Sequence, residues 1–229
     1  MENQISSNID LIKQRIAGAV KRAGRDPLAV KLMAVTKTVE TERIGRAIDA
    51  GLTLLGENYV QEAKDKIAII GNTAQWHMIG HLQTNKAKYA VKLFDCVHSV
   101  DRLELAQELD KRSGQINRKL NILIEVNSGE ESKSGIEKEE TLELVRQVAL
   151  LPNLTIRGLM TMAPYSDDPE NSRPYFRALR ELRDDINRAG IAGVRMEELS
   201  MGMTDDFEVA IEEGATIIRV GRAIFGQRQ

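Results

Sequence analysis

The sequence predicts an α/β protein: a single (β/α)8 barrel, or TIM barrel, that takes up residues 1–229, with an extra helix before its first strand. Three observations predict this fold. Eight short β-rich segments alternate with segments of helical spacing, the 229-residue length lies within the range of such barrels, and no linker divides the chain. This alternation favours parallel strands joined by right-handed crossovers, and eight repeats are the number that closes a barrel.

The predicted elements follow one another along the whole chain. The β-rich segments are residues 29–37, 52–58, 75–80, 94–100, 119–127, 154–162, 196–202 and 216–221. The extra helix is predicted by apolar residues at a spacing of three or four, which are Ile5, Ile9, Ile12, Ile16 and Val20. Three later helical segments run into a glycine, where a left-handed residue commonly ends a helix, at Gly51, Gly190 and Gly214.

An open doubly wound sheet is the alternative to the barrel, since it also alternates strands and helices. No Gly-x-Gly-x-x-Gly motif follows the first β-rich segment, although that motif marks many open sheets that bind dinucleotides. The cluster of Pro, Ser and Asp at residues 163–174 is short enough to be one strand-to-helix loop. The barrel, as one domain, is therefore the favoured interpretation.

Composition and charge narrow the classes of function. The chain carries 34 acidic and 32 basic residues, for a formal net charge of -2, without the basic block that nucleic-acid binding requires. No apolar run approaches the roughly 20 residues that span a bilayer, and residues 1–16 lack the apolar stretch of a signal peptide. The single cysteine, Cys96, has no partner for an internal disulfide. We expect a cytoplasmic protein without nucleic-acid or membrane partners.

Lys37 stands at the end of the first β-rich segment, after the apolar residues 32–35. The functional groups of a (β/α)8 barrel lie at the carboxyl ends of its strands. Met33, Val35 and Lys37 share one face of the strand, so an inward-facing strand would place this amine above apolar layers. Partial desolvation lowers the pKa of a lysine and makes the neutral amine available for Schiff-base formation. The alternative is a lysine that extends its ammonium into solvent.

Two turns in the last quarter of the chain are suited to binding an anion. The loops after the seventh and eighth strands form the recurring phosphate site of this fold. Residues 200–203 lead into Thr204, a residue type that begins helices well, and Gly221 and Arg222 follow the eighth strand. Backbone N–H groups at such turns bind phosphate. Two turns after consecutive strands predict a phosphate site more strongly than one turn would.

Arg219 is a permanent cation near the end of a strand that is otherwise apolar. Arg219 shares a strand face with Ile217, and it lies two residues before Gly221 in the sequence. One interpretation pairs its guanidinium with an acid such as Glu197 or Glu198. The other interpretation has it contacting a ligand atom that accepts a hydrogen bond and stays unprotonated.

Five blocks of the sequence, in this order and spacing, resemble the pyridoxal phosphate homeostasis proteins of the YggS/PROSC type. The blocks are AVTK ending at Lys37, GENYVQE at 56–62, WHMIGHLQTNK at 76–86, GLMTMAP at 158–164 and residues 199–226. The resemblance covers nearly the whole chain. It implies a barrel similar to the N-terminal domain of alanine racemase and a role in the homeostasis of vitamin B6 inside the cell.

The resemblance also implies where pyridoxal 5'-phosphate binds. Lys37 would hold the cofactor as a Schiff base, Arg219 would face the pyridine nitrogen, and Asn58 would lie beside the ring. The phosphate would be bound mainly by backbone N–H groups of Ser200, Met201, Gly202, Gly221 and Arg222. Family members often carry a small hydroxyl residue where Arg222 stands, so the N–H of this residue is the predicted contact. An arginine opposite the ring nitrogen disfavours its protonation, which makes the pyridine a poorer electron sink.

Binding protein and enzyme are both open interpretations. Alanine racemases, by the resemblance, add a β-rich domain that supplies a catalytic base across a dimer, whereas the barrel takes up the whole sequence here. We therefore expect a monomeric binding protein without turnover, which could contact pyridoxal-dependent enzymes transiently. A weak racemase would need an acid–base group besides Lys37, and the candidates are Tyr59, Tyr165, His77 and His81. A third hypothesis is an aldolase-like barrel in which Lys37 forms Schiff bases with sugar phosphates.

The histidines and the cysteine suggest packing rather than metal chemistry. His77 and His81 are four residues apart, as metal ligands can be, but a predicted strand end separates them and no Cys or carboxylate completes the set. We expect these histidines to pack or cap, and we expect no metal site. Cys96 is predicted to be a small buried apolar residue.

Overall fold

The computed structural model describes residues 4–129 and 134–226 of the chain. Its eight strands are parallel and form one closed barrel, in which each strand pairs with the next and the eighth pairs with the first. The strands are β1 (Lys31–Val35), β2 (Leu54–Glu57), β3 (Gln75–Met78), β4 (Cys96–Val100), β5 (Leu120–Glu125), β6 (Leu154–Met160), β7 (Glu198–Ser200) and β8 (Ile217–Val220). The predicted barrel is confirmed, and the open sheet is excluded.

Helices follow the strands and surround the barrel. The described helices are α1 (Gln4–Arg22), α2 (Thr41–Asp49), α3 (Val60–Ile70), α4 (Ala87–Leu93), α5 (Leu103–Gln115), α6 (Lys138–Val148), α7 (Arg173–Arg188), α8 (Phe207–Glu212) and α9 (Arg222–Phe225). Among the described residues, no helix combines the length and the apolar character that crossing a membrane requires. Gly51, Gly190 and Gly214 all have positive φ, as predicted for residues that follow helices.

The predicted extra helix is α1, and it packs on α8 beside α2 and α9. All five of its predicted apolar residues are buried. Burial of one apolar stripe stabilises the helix on the outside of the barrel, because most helical stability in proteins comes from the packing of an amphipathic face.

The predicted helix start at Thr204 is wrong. Helix α8 begins at Phe207, and Asp206 occupies the position before it. The carboxylate of Asp206 accepts a hydrogen bond of 2.6 Å from the N–H of Met203, which closes a turn ahead of the helix. The carboxylate of Asp206 and the hydroxyl of Thr204 can both accept hydrogen bonds from the N–H groups of the loop. The sequence alone did not decide which of the two residues precedes the helix.

The register of the strands identifies the residues that line the inside of the barrel. Paired residues of neighbouring parallel strands point to the same face. Met33 pairs with Arg219, Ile217 with Ser200, Ser200 with Met160, and Met160 with Glu125. These side chains therefore share the inner face, and the larger apolar core lies outside it, between the strands and the helices.

Apolar residues fill the barrel interior below the mouth. One cluster contains Met33, Leu54 and Ile217, and another contains Cys96, Leu123 and Met160. Cys96 is buried, as predicted, and burial raises the pKa of its thiol. The thiol is therefore the stable form of this residue at neutral pH.

Candidate functional site

The carboxyl ends of β1 and β8 touch at the barrel mouth. Ala34 pairs with Val220, and Gly221, the residue directly after β8, lies against Val35. A Cβ atom at Gly221 would stand 3.2 Å from the carbonyl oxygen of Val35 and 3.3 Å from its Cβ. Only a glycine allows this approach without displacing β1. The contact brings the turn after β8 next to the segment that carries Lys37.

Lys37 lies in a tight turn just beyond β1 rather than within the strand. The strand ends at Val35, and the N–H of Val39 donates to the carbonyl of Thr36 at 3.0 Å. Lys37 is half-buried, and Thr38 has a φ of 61°. A β-branched residue rarely adopts a positive φ, so the surrounding structure must stabilise this turn.

A buried network of charges provides that stabilisation. The ammonium of Lys66, on α3, donates to the carbonyl of Thr36 at 2.6 Å, to Glu57 at 2.8 Å and to Glu62 at 2.6 Å. The hydroxyl of Thr36 also donates to Glu57 at 2.6 Å. Burial raises the pKa of Glu57, while the hydrogen bonds from Lys66 and Thr36 act in the opposite direction. The network ties the carboxyl ends of β1 and β2 together beside Lys37.

Asn58 follows β2 and lies half-buried at the rim of the mouth. Gly80, in the loop after β3, packs against its backbone. A Cβ atom at Gly80 would stand 2.5 Å from the carbonyl oxygen of Asn58 and 2.7 Å from its Cα. The backbone of Asn58 therefore packs against the loop after β3, on the side of β1 opposite to β8.

The turn after β7 places its backbone beside β8. Gly202 has a φ of 89°, and a Cβ atom there would stand 2.6 Å from the Cβ of Ala210. Its carbonyl accepts a hydrogen bond of 3.0 Å from the N–H of Arg219. Among the described residues, no acceptor engages the N–H groups of Gly202 or Gly221. These two N–H groups, from adjacent turns, are available to an anion.

Ser200 and Met201 have other roles than Gly202. Both are fully buried. The N–H of Met201 donates to the carbonyl of Ile217 at 3.1 Å and so continues the pairing of β7 with β8. The side chain of Ser200 points into the barrel rather than toward the loop. These residues position the turn, and Gly202 presents its free N–H.

Arg222 begins α9, and its side chain is exposed. The guanidinium pairs with the carboxylate of Asp205, in the loop between β7 and α8. This ion pair bridges the two turns that contain Gly202 and Gly221. The side chain of Arg222 is thus directed at a neighbouring loop, and the N–H at the start of α9 remains the group predicted to face an anion.

Arg219 is 4% exposed and lies on the inner face of the barrel. Its guanidinium donates to the carbonyl and hydroxyl oxygens of Ser200 at 2.6 and 2.7 Å, and to the carbonyl of Thr161 at 2.8 Å. Burial lowers its pKa to about 10, so it remains a cation at neutral pH. Within the described residues, Nε has no acceptor.

The interpretation that pairs Arg219 with Glu197 or Glu198 is wrong. Glu197 pairs with Arg157, and Glu198 pairs with Lys31. Both acids precede or begin β7, at the amino-terminal end of the barrel, whereas Arg219 lies near the mouth. Strand direction therefore places the two acids, at the start of β7, far from Arg219, near the end of β8.

A hydrogen-bonded chain of side chains supports Arg219 from inside the barrel. Nδ1 of His98 lies 3.1 Å from the hydroxyl oxygen of Ser200, and its Nε2 lies 2.9 Å from Nδ1 of His77. Burial lowers the pKa of His98 well below its usual value and that of His77 to about 4, so both rings are neutral at pH 7. No sequence pattern singles out His98, because its partners come from β3 and β7.

The expectation that nothing completes a ligand set around His77 is wrong. One nitrogen from each of His77 and His98 and the sulfur of Cys96 lie within 4.8 Å of one another. His81 is exposed and lies elsewhere, with Nδ1 at 3.8 Å from Asp101. The two buried imidazoles already satisfy each other through a hydrogen bond, which gives the group a packing role in the barrel interior.

The other acid–base candidates are not gathered around one point. Tyr59 and Tyr165 are largely exposed, and the hydroxyl of Tyr165 donates to Asp167 at 2.9 Å. His77 lies inside the barrel and is neutral. A buried carboxyl that the sequence did not single out, Glu125, instead stands at the end of β5 on the inner face.

Comparisons with known proteins agree with this geometry. Residues 4–229 match the family model described as the alanine racemase N-terminal domain. A pyridoxal phosphate homeostasis protein of Aquifex aeolicus (strain VF5) is 47% identical over 220 residues, which cover 95% of this chain and 96% of that protein.

Two solved structures are also similar. PipY of Synechococcus elongatus PCC7942, with PLP bound, is 35% identical with a TM-score of 0.82, over 94% of this chain and all of that one. Alanine racemase of Corynebacterium glutamicum has a TM-score of 0.78 at 17% identity, over 99% of this chain and 62% of the racemase, and this likeness concerns the fold alone. The chain thus belongs to the alanine racemase N-terminal domain family and, within it, to the pyridoxal phosphate homeostasis proteins.

Proposed function

We propose that this chain binds pyridoxal 5'-phosphate reversibly at the barrel mouth, through the amine of Lys37, and takes part in the homeostasis of the cofactor in the cytoplasm. The observation that carries the proposal is the contact of Gly221 with Val35, because it joins the turn after β8 to the segment that ends in Lys37. Relatives that are named for pyridoxal phosphate homeostasis, and PipY with PLP bound, support it.

The residues at the mouth fit the functional groups of the cofactor. Pyridoxal phosphate offers an aldehyde, a phosphate dianion and a ring nitrogen. Lys37 carries an amine, which suits the aldehyde, free backbone N–H groups at Gly202 and Gly221 suit the phosphate, and the guanidinium of Arg219 suits an unprotonated nitrogen. Asn58 lies at the same rim, beside β1.

Each of these residues has one task in the proposed site. When bound, the cofactor would supply an aldehyde that can condense with a neutral amine, with loss of water. The turn at Lys37 positions the amine, and Gly202 and Gly221 orient the phosphate. Arg219, held by Ser200, keeps a positive charge near the ring nitrogen and so disfavours its protonation. This arrangement restrains carbanion chemistry on the cofactor.

We propose that the protein stores or delivers the cofactor without turnover, as a monomer of one domain spanning residues 1–229. The exposure of Tyr59 and Tyr165, and the neutral interior position of His77, support a site without a second acid–base group opposite Lys37. Transient contact with pyridoxal-dependent enzymes would then complete delivery. Racemase activity is the second candidate function, favoured only by the shared barrel.

Absorbance tests the proposal. Adding pyridoxal phosphate to the purified protein should produce a visible band that borohydride abolishes, and Lys37→Ala should give no band. Lys64→Ala is the matched control, because Lys64 is an exposed lysine of α3. A band that persists in Lys37→Ala would refute the role of Lys37. Hydrogen exchange at the α carbon of an added amino acid, above the rate with free cofactor, would favour the racemase.

A further inference from the structure

Glu125 is a buried carboxyl whose side chain forms no hydrogen bond with the described residues. It ends β5, it is 3% exposed, and its Oε2 is fully buried without a hydrogen bond. No described residue donates to either of its oxygens. Buried polar side chains are nearly always hydrogen-bonded, so an exception at a strand end of the barrel mouth calls for an explanation. Glu57, the other buried glutamate with an orphaned oxygen, differs because its Oε1 pairs with Lys66.

The orphaned carboxyl faces the same space as Arg219. Glu125 pairs with Met160, Met160 with Ser200, and Ser200 with Ile217, which precedes Arg219 on the inner face of β8. Among the described residues, two charged groups act on the carboxyl: Arg219 and, after β4, Asp101. Its inner-face neighbours Met160 on β6 and Leu123 on β5 carry no charge.

The proposed cofactor has one hydrogen-bonding group to which no residue is assigned above. Lys37 is assigned to the aldehyde, the turns at Gly202 and Gly221 to the phosphate, and Arg219 to the ring nitrogen. The phenolic oxygen of the ring remains, and it is an acceptor that carries negative charge when ionised. A neutral carboxyl can donate to such an oxygen, whereas a carboxylate would repel it.

We propose that Glu125 is a further contact of the bound cofactor, and that its protonated carboxyl donates a hydrogen bond to the phenolic oxygen of pyridoxal phosphate. The proposal rests on the proposed function. It assigns a partner to the orphaned carboxyl of β5 and to the remaining polar group of the ring.

The protonation state of Glu125 supports this assignment. Burial first, and then the negative charge of Asp101, raise its pKa to about 7, while Arg219 acts in the opposite direction. A group that must be protonated to bind loses its contribution as the pH rises through its pKa. Affinity that depends on Glu125 should therefore fall between pH 6 and pH 8, whereas a higher pH favours the neutral amine that any Schiff base requires.

A glutamine variant separates these two effects, because an amide donates a hydrogen bond without titrating. Pyridoxal phosphate would be titrated into wild type, Glu125→Gln and Glu125→Leu at pH 6, 7 and 8, with absorbance as the readout and thermal unfolding as the check on folding. We expect the wild-type affinity, divided by that of Glu125→Gln, to fall about tenfold across this range, since the protonated fraction falls tenfold per pH unit above the pKa. Glu125→Leu should bind about tenfold more weakly than Glu125→Gln at every pH.

Glu198→Gln is the matched control, because Glu198 is a carboxyl on the inner face at the opposite end of the barrel, paired with Lys31. It should follow the wild-type pH profile. A constant ratio of wild type to Glu125→Gln, or unweakened binding by Glu125→Leu, would overturn the contact while leaving binding at Lys37 intact. A wild-type protein that binds no pyridoxal phosphate would overturn both this contact and the proposed function.

Discussion

Buried charges at the barrel mouth are stabilised in three different ways. Lys66 is surrounded by acceptors, which include Glu57 and the carbonyl of Thr36. Arg219 has no ion pair among the described residues and relies on carbonyl and hydroxyl oxygens of its neighbours. Burial raises the pKa of Glu125 to about 7, so its neutral form is populated near neutral pH. Lys66 has fixed partners, as a buried charge with a structural role requires. The carboxyl of Glu125 lacks a hydrogen bond from the described residues, as the proposed ligand contact requires.

Replacing Lys66 with Met should destabilise the protein strongly. The substitution leaves Glu57 buried without its cationic partner, and breaking a buried pair in this way costs about 3 to 5 kcal/mol. Urea unfolding would measure the change in the free energy of unfolding. Lys64→Met is the control on the same helix, and its effect should stay within about 0.5 kcal/mol because Lys64 is exposed.

A second substitution tests whether the lost stability comes from the unpaired charge of Glu57. Adding Glu57→Gln to Lys66→Met should recover part of the lost stability, because the amide removes the unpaired charge. Equal effects of Lys66→Met and Lys64→Met would show that the network contributes nothing to folding.

Among the elements, α1 contributes packing rather than chemistry. Its buried isoleucines lie against α8 and its neighbours, while Leu11 on the opposite side is exposed. Ile9→Ala should lower the free energy of unfolding by about 3 kcal/mol, as is usual for a large apolar side chain deleted from a core. For a chain of this size that corresponds to a fall in Tm of roughly 6 to 12 °C.

Leu11→Ala is the control for Ile9→Ala, since it deletes a side chain of the same size from the same helix. It should change Tm little, and neither variant should weaken cofactor affinity once the protein is folded. An unchanged Tm for Ile9→Ala would contradict the packing of α1 described above.

The proposed binding of pyridoxal phosphate depends on the contact between β1 and the turn after β8. Gly221→Ala places a Cβ atom 3.2 Å from the carbonyl oxygen of Val35, which is backbone and cannot rotate away. One of the two segments must shift, so we expect affinity for pyridoxal phosphate to fall about tenfold, the effect of about 1.4 kcal/mol. Absorbance titration of the variant would measure it.

Gly45→Ala is the control for this glycine substitution. Gly45 lies within α2 with no atom near the position of a Cβ, so alanine should stabilise the helix by about 0.5 to 1 kcal/mol and leave affinity unchanged. Equal affinities for Gly221→Ala and wild type would contradict the proposed role of the turn after β8 in binding the cofactor.

For the whole molecule, the fold followed from local patterns. The eight β-rich segments each contain a strand, and the apolar stripe of Ile5 to Val20 forms α1. The strand boundaries were less predictable, as β1 ends before Lys37 because Thr36 is held by Lys66 from α3. Periodicity identifies an element, whereas contacts from elsewhere in the chain decide where it stops.

The parts of the site that the sequence did not reveal depend on contacts across the barrel. His98 and Ser200 are about a hundred positions apart and meet only because β4 and β7 face each other across the interior. The orphaned carboxyl of Glu125 is likewise invisible in a sequence, since an unpaired oxygen is a property of its surroundings. Arg219 was singled out because a cation in an apolar strand is a local anomaly, but its partners were not predicted.

The most direct test of the central claim is a crystal structure of the protein with pyridoxal phosphate. The claim is that the amine after β1 and the turns after β7 and β8 bind one molecule together. We predict continuous density from Nζ of Lys37 to the cofactor, with its phosphate against the N–H groups of Gly202 and Gly221. Density for the phosphate at any other place, or a cofactor attached to a lysine other than Lys37, would contradict the account.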